Sequence, residues 1–150
     1  MGPQAKPNVT VGVVDPDRDS YDRLLSSIAA RTATFRFYGT GREVLRREAV
    51  DGVAFWLVGV ELPDISGLDL CEMLRDRRDG AVVCMVGTQY RIEDEIGAYR
   101  AGATMYACKP LEASWLRECI LGRQGTERAE SLRETLVPPA ARSPPALRRA

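Results

Sequence analysis

Short apolar runs alternate with amphipathic segments along most of this chain. One run without a charge, residues 55–58 (FWLV), leads into a glycine, an acid and a proline, and Ser66 then precedes a segment with helical spacing. An apolar run that ends in turn residues and is followed by a capped helix is typical of a buried strand leading into a helix. Open α/β sheets place their functional sites at the carboxyl ends of such strands, which is where Gly59 and Glu61 fall. An ordinary buried strand and loop would give the same pattern.

The same pattern predicts five strands that alternate with five helices. The predicted strands are apolar and rich in β-branched residues, and the second one alternates, as expected near a sheet edge. The strands are predicted at residues 9–14, 32–38, 53–60, 81–86 and 104–108. The helices are predicted to begin at Asp19 or Ser20, at a capping box in residues 40–43 (TGRE), after Ser66, near Ile92 and near Trp115. Such alternation produces a parallel sheet with right-handed crossovers.

Apolar residues at helical spacing mark the predicted buried face of the first three helices. In the first helix these residues are Tyr21, Leu24, Leu25 and Ile28. In the second helix they are Val44, Leu45 and Ala49, and in the third they are Leu68, Cys71, Met73 and Leu74.

The composition indicates one compact domain followed by a different kind of segment. The chain has 150 residues, of which 45% are hydrophobic, and this is enough to build a core. We expect a flexible N-terminus at 1–8, a folded domain at 9–122 and a tail at 123–150. The tail is polar, contains proline and arginine and has little to bury, so we expect it to be largely disordered.

The charge balance argues against nucleic acid and membrane as partners. Twenty-one basic and 21 acidic residues cancel, which favours close association with other proteins. The tail arginines Arg142, Arg148 and Arg149 are too few to give much affinity for nucleic acid. No signal peptide and no apolar run long enough to span a bilayer are evident, so we expect a cytoplasmic location.

Cysteine and histidine usage argues against a metal centre. The four cysteines, Cys71, Cys84, Cys108 and Cys119, are widely spaced, and the chain contains no histidine. A zinc site would need thiolates from distant elements, so small buried hydrophobic residues are the better interpretation of the cysteines. The lack of histidine also removes the commonest general base.

Two motifs give the chain a family resemblance. Residues 61–68 (ELPDISGL) and residues 101–103 (AGA), the latter placed before Tyr106 and Lys109-Pro110, resemble the receiver domain of bacterial two-component response regulators. The resemblance covers about 9–122. It implies a flavodoxin-like (CheY-like), doubly wound sheet of five parallel strands with five helices, and a role in signal transduction. In that family an aspartate at the end of the third strand accepts phosphate from a histidine kinase.

The chain departs from the family pattern at the positions that carry this chemistry. Counting back four residues from Pro63 places the phosphoacceptor position at Gly59, which has no nucleophile. Of the two acids that bind Mg²⁺ in the family, Asp15 matches the first and Pro16 occupies the second. Restoring aspartate at both 16 and 59 is therefore expected to restore Mg²⁺ binding.

Other family positions match in part. The small hydroxyl residue that holds the phosphoryl oxygens falls on Gly87, with Thr88 one place later. The family's lysine matches Lys109, and the aromatic residue that changes rotamer on activation matches Tyr106.

These matches and departures predict a pseudo-receiver that is not an enzyme and acts through protein contacts without phosphorylation. No cofactor is expected, and Mg²⁺ binding should be weak or absent. Lys109 should pair with Asp15, or otherwise with Glu61, in a remnant acidic pocket that also includes Asp17. The alternative is a degenerate receiver that is phosphorylated on a substitute acid or binds a small anion near Lys109.

The family carries its output on the face formed by the fourth helix, the fifth strand and the fifth helix. We expect a protein partner or a second copy of the chain to bind there, because aromatic residues dominate interface energetics. The residues predicted for this face are Tyr90, Ile92, Tyr99, Tyr106 and Trp115. The alternative for Tyr99 and Trp115 is that they pack in the core.

Overall fold

A computed structural model describes residues 9–46, 52–77 and 82–124. The strands are β1 (Val9–Val14), β2 (Ala33–Tyr38), β3 (Val53–Gly59), β4 (Val82–Gly87) and β5 (Met105–Cys108). The helices are α1 (Asp22–Ser27), α2 (Gly41–Arg46), α3 (Gly67–Arg77), α4 (Ile92–Arg100) and α5 (Ala113–Gln124), with a 3₁₀ turn at Arg18–Tyr21 before α1. The predicted alternation of strands and helices is confirmed.

The five strands form one parallel sheet in the order β2-β1-β3-β4-β5. The predicted position of β2 at a sheet edge is therefore confirmed. In the register of the sheet, Val14 lies opposite Val58, Gly59 opposite Val86, and Gly87 opposite Cys108. The loops that follow β1, β3, β4 and β5 consequently leave the sheet together, at the end where the carboxyl termini of these strands meet.

The central strand β3 is buried along almost its whole length, as its apolar sequence requires. Trp56 is fully buried, and its ring lies over Gly12 of β1, where a Cβ atom would approach the ring to 2.5 Å. Glycine at position 12 therefore makes room for the largest side chain of the core. Among the described residues, the indole nitrogen of Trp56 has no hydrogen-bond partner.

Side chains cap the two helices whose starts the sequence predicts most clearly. The Ser66 hydroxyl accepts hydrogen bonds from the backbone of Leu68 and Asp69 at the start of α3. At α2, Thr40 Oγ1 accepts from Glu43 N at 3.0 Å, while the Glu43 carboxylate accepts from Gly39 N. The capping box is thus present, with its second bond one residue earlier than the standard pattern.

The β3–α3 loop is tied to the start of α2 by Asp64. Its two carboxylate oxygens accept hydrogen bonds from Gly41 N and Arg42 N, at 3.0 and 2.7 Å. The Ile65 side chain covers Gly41, where a Cβ atom would approach it to 2.7 Å. These contacts fix the loop that follows Gly59.

Some local expectations are wrong. Met73 was predicted to face the core but is 40% exposed. Leu70 is buried in the core instead, because Leu70, Cys71 and Leu74 lie closer to the centre of the buried face of α3. The first helix begins as a 3₁₀ turn without a side-chain cap, so neither Asp19 nor Ser20 has the expected capping role. The expectation for Ala49 lies outside the described residues.

The described chain falls into two compact units, one ending at Ala113 and the other beginning at Ser114. The second unit contains nearly all of α5, in which Leu116 and Ile120 are fully buried. Helix α5 extends to Gln124, two residues beyond the domain end expected at 122. The expected N-terminus at 1–8 and the rest of the tail expected at 123–150 lie outside the described residues. Within the described ranges, no helix is long and apolar enough to cross a bilayer.

Candidate functional site

A pocket of about 420 Å³ opens in the first unit, at the edge of the sheet where β1, β3, β4 and β5 end. Its charged lining consists of four carboxylates and two basic side chains, which makes the pocket acidic overall. These residues are Asp15, Asp17, Glu61, Asp94, Arg91 and Lys109. Pro16, Gly59, Gly87 and Thr88 also line it. The structure therefore brings together every residue of the predicted remnant site.

Asp15 and Lys109 form the buried part of this pocket. Lys109 Nζ lies 3.0 Å from Asp15 Oδ2, and the two side chains are only 14% and 7% exposed. A second contact joins Lys109 Nζ to Asp17 Oδ2 at 3.8 Å, although the Asp17 side chain is largely exposed. The predicted pairing of Lys109 with Asp15 is confirmed.

Tyr21 completes the arrangement from the 3₁₀ turn. Its hydroxyl donates a 2.8 Å hydrogen bond to Asp15 Oδ2, while Asp17 N donates to Asp15 Oδ1 at 2.9 Å. Lys109 Nζ also lies 5.3 Å from the centroid of the Tyr21 ring. Burial, followed by the negative charge of Asp15, raises the pKa of Tyr21 above its ordinary value, so the hydroxyl remains a neutral donor. We call Asp15, Tyr21 and Lys109 the buried cluster.

Gly59 lies against this cluster. A Cβ atom on residue 59 would be 3.1 Å from Asp15 Oδ2 and 3.4 Å from the carbonyl oxygen of Val14. Gly67 approaches from the other side, because a Cβ atom there would collide with the carbonyl oxygen of Gly59. The end of β3 is therefore closely surrounded, and at residue 59 it presents backbone in place of a carboxylate.

Gly87, at the end of β4, provides space for Tyr106. A Cβ atom on residue 87 would lie 2.6 Å from the Tyr106 hydroxyl oxygen, and the Cys108 thiol donates to that oxygen at 3.6 Å. Burial and then the Cys108 contact raise the pKa of Tyr106 to about 12. The Tyr106 ring packs edge-to-face against Tyr90, with 6.1 Å between centroids. Thr88 is exposed on the pocket rim.

A second group of charged and hydroxyl side chains lies around the start of α4, and we call it the exposed cluster. Arg91 Nε lies 3.9 Å from Asp94 Oδ2, and the Arg91 side chain is 60% exposed. The Tyr90 hydroxyl donates a 2.6 Å hydrogen bond to Glu95 Oε1. This bond raises the pKa of Tyr90 above its ordinary value. Arg91 and Asp94 reach the pocket, whereas Tyr90 and Glu95 are not among the residues that line it.

The positions that bind Mg²⁺ in the family, together with residue 59, are not arranged to receive a divalent cation. Mg²⁺ needs near-octahedral oxygen ligands, usually including one or two carboxylates that are free to coordinate it. Here Asp15 already accepts three hydrogen bonds or ion-pair contacts, and Pro16 and Gly59 supply no side-chain oxygen. In residues 9–46, 52–77 and 82–124, no three His, Cys, Asp or Glu side chains are placed to share a metal.

The aromatic residues predicted for a partner-binding face are exposed to different degrees. Tyr90, Ile92 and Tyr99 are exposed, and Tyr106 is half-buried. The alternative that placed Tyr99 in the core is therefore wrong. Trp115 belongs to the second unit, and its side chain is half-buried.

Sequence reasoning missed Tyr21, Arg91 and Asp94 as members of the site. Tyr21 was expected in the core, and it is indeed buried, but a buried tyrosine hydroxyl needs a hydrogen-bond partner and the nearby acids offer one. Arg91 and Asp94 are three residues apart at a predicted helix start, and this spacing indicates an ion pair.

The sequence profile of the "Response regulator receiver domain" family matches residues 11–121. This chain belongs to that family. Receiver domains are regulatory signalling domains rather than enzymes, and they interact with partner proteins. The match includes β1 from Val11 onwards, the other four strands and every residue that lines the pocket.

Curated relatives and solved structures agree with this assignment. The receiver domain is 32% identical over 107 residues to the response regulator protein PilR of Pseudomonas aeruginosa, a match that covers 71% of this chain and 23% of PilR. It is 36% identical to the transcriptional regulatory protein TorR of Escherichia coli, covering 73% and 46% of the two chains. The chain thus spans less than two thirds of the length of these relatives.

A solved CheY-like receiver domain from Methanospirillum hungatei superimposes with a TM-score of 0.69 at 23% identity. The superposition covers 82% of this chain and 98% of the other. The predicted flavodoxin-like fold, with five parallel strands and five helices, is confirmed.

Proposed function

We propose that this receiver domain is a pseudo-receiver, which acts in cytoplasmic signalling through protein contacts and without phosphorylation. The observation that carries the proposal is Gly59. It occupies the position that the family pattern assigns to the phosphoacceptor, and its backbone lies against Asp15 where a carboxylate would be needed. Without a nucleophile at this position no acyl phosphate can form there.

The surroundings of Gly59 support the same proposal. Lys109 would have to face a phosphoryl group to stabilise its charge, and here the buried carboxylate of Asp15 engages it. Gly87 offers no hydroxyl, and the hydroxyl of Tyr106 occupies the space beside it. Gly59 and Gly87 thus lack the side-chain groups that phosphoryl transfer needs, and Lys109 is paired with a carboxylate.

The proposed working surface lies on α4, the loop that precedes it, and β5. Tyr90, Ile92 and Tyr99 expose large apolar groups, and the ring of Tyr106 packs against that of Tyr90. Aromatic side chains of this kind dominate interface energetics. A protein partner or a second copy of the chain would bind this surface, which needs no phosphorylation to be presented.

The alternative function is phosphorylation of a substitute acid in the pocket. Asp17 and Glu61 both line the pocket and are exposed, so either could reach a small phosphodonor. Neither lies at the phosphoacceptor position, and a misplacement of about 1 Å can cost roughly 10²-fold in rate. Binding of a free anion is less favoured, because four carboxylates outnumber two basic side chains in the lining.

The decisive experiment is incubation with acetyl phosphate and Mg²⁺, followed by intact-mass measurement. We expect the mass to remain unchanged under conditions that phosphorylate a receiver domain with an aspartate at the acceptor position, which serves as the positive control. A stable adduct of one phosphoryl group, mapped to Asp15, Asp17, Glu61 or Asp64, would overturn the proposal and establish the alternative.

A further inference from the structure

Of the four carboxylates that line the pocket, only that of Asp15 is buried. Most of its hydrogen-bond acceptor sites are already occupied. A carboxylate has two oxygens with about four lone-pair sites. Oδ2 accepts the Tyr21 hydroxyl at 2.8 Å and faces Lys109 Nζ at 3.0 Å, and Oδ1 accepts Asp17 N at 2.9 Å. A divalent ion that binds Oδ2 must displace a donor.

The two donors on Oδ2 differ in how easily they can leave. Lys109 has a long, flexible side chain that already reaches Asp17, so it can shift towards that exposed carboxylate and keep its charge paired. Tyr21 is 1% exposed, and its ring packs edge-to-face against Phe37 at 6.2 Å. If its hydroxyl left Asp15 it would be a buried donor without a partner, which is costly.

We propose that Tyr21 closes the Asp15 carboxylate to divalent cations, because its hydroxyl occupies Oδ2, the Asp15 oxygen that lies nearest to residue 59. Divalent cations are then excluded from Asp15 for a reason that is independent of Pro16 and Gly59. This inference deepens the proposed function, since it assigns a residue on the 3₁₀ turn a role in keeping the pocket in one state.

The proposal changes what a repaired site should do. The sequence alone predicts that Pro16→Asp and Gly59→Asp together restore Mg²⁺ binding. The geometry predicts that this double variant still binds Mg²⁺ poorly, because the Tyr21 hydroxyl remains on Asp15 Oδ2. Replacing Tyr21 by phenylalanine as well removes the hydroxyl and keeps the ring.

The test compares Mg²⁺ affinities by titration calorimetry in three variants that share the two added aspartates. Tyr21→Phe should tighten Mg²⁺ binding by about tenfold or more, because the ion no longer competes with a hydrogen bond to a charged group. Tyr90→Phe is the matched control, since it also removes a hydroxyl bonded to a carboxylate but leaves Asp15 untouched. It should leave the Mg²⁺ affinity of the double variant unchanged. Equal affinity with and without the Tyr21 hydroxyl would overturn the proposal.

If Tyr21→Phe unfolds the protein, a crystal structure of the double variant grown with Mg²⁺ tests the proposal instead. The expected result is the Tyr21 hydroxyl within hydrogen-bond distance of Asp15 Oδ2 and no ion on Asp15. An ion bound to Asp15 would overturn the inference. Phosphorylation of the natural sequence would instead overturn the proposed function, and it would leave the comparison between these variants intact.

Discussion

The buried cluster and the exposed cluster contain the same three kinds of group. Each has a basic side chain, a carboxylate paired with it, and a tyrosine hydroxyl that donates to a carboxylate. They differ in burial. Lys109 and Asp15 are 14% and 7% exposed and 3.0 Å apart, whereas Arg91 is 60% exposed and its contact with Asp94 is 3.9 Å long.

This difference teaches that burial, more than charge, determines how strongly the groups of a cluster depend on one another. An exposed ion pair is weakened by water and by side-chain freedom, and typically contributes about 0–1 kcal/mol. A buried pair contributes little net stability relative to apolar residues, but removing one partner leaves a charge without compensation. The groups of the buried cluster therefore depend on one another, and those of the exposed cluster hardly do.

The largest expected effect is that of Lys109→Met, which removes the ammonium and keeps most of the alkyl chain. The buried Asp15 carboxylate then lacks its counter-charge, so we expect the free energy of unfolding to fall by roughly 3–5 kcal/mol. Urea denaturation measures this change. A fall below about 1 kcal/mol would mean that the pair behaves like an exposed one.

A double variant makes this measurement sharper. Adding Asp15→Asn to Lys109→Met removes the stranded charge, so the pair of substitutions should destabilise the protein less than Lys109→Met alone. Strict additivity of the two substitutions would contradict the mutual dependence inferred from their 3.0 Å contact.

The next-largest effect is expected at alkaline pH, where Tyr21 and Tyr90 should affect stability differently. Burial and Asp15 raise the pKa of Tyr21 in the folded state, so above about pH 10 the unfolded chain loses a proton that the folded chain retains. Stability should therefore fall as pH rises past 10, by up to about 1.4 kcal/mol per pH unit. The titratable groups near Tyr21 are Asp15, Cys84 and Asp17, together with Lys109 over its ring.

Tyr21→Phe should make this alkaline decline shallower, as measured by urea unfolding between pH 9 and 11. Tyr90→Phe is the comparison, and it should change the slope much less because Tyr90 is exposed. Identical slopes in the natural protein and the Tyr21 variant would show that the Tyr21 hydroxyl does not resist ionisation.

The smallest effect is expected for Arg91→Met in the exposed cluster. The pair is long and open to solvent, so its loss should change the free energy of unfolding by about 0–1 kcal/mol, less at high salt. Thermal melts at low and high ionic strength check this. A loss comparable to that of Lys109→Met would remove the distinction between the clusters.

The sheet could be predicted from the sequence because its strands are short, apolar and separated by helical patterns. The pairing of Lys109 with Asp15 could be predicted as well, since parallel strands bring their carboxyl ends to one edge. The buried face of α3 was predicted less well, because four apolar residues between positions 70 and 74 compete for a narrow stripe. Leu70 is buried, and Met73 is exposed.

The hydroxyl bond of Tyr21 could not be deduced from spacing. Helical periodicity indicates only that the ring points inward, and the partner of the hydroxyl depends on the direction of the 3₁₀ turn relative to β1. The contact between Gly87 and Tyr106 was equally hidden, because a glycine in a sequence does not reveal which side chain occupies the space beside it.

The packing of Trp56 over Gly12 also has an optical consequence. An indole ring that is shielded from water, and whose nitrogen has no hydrogen-bond partner among the described residues, emits at shorter wavelength than one in solvent. Unfolding of β3 exposes this ring, so the fluorescence of Trp56 should shift to the red as the central strand separates from β1. The chain thus carries its own spectroscopic reporter at the middle of the sheet.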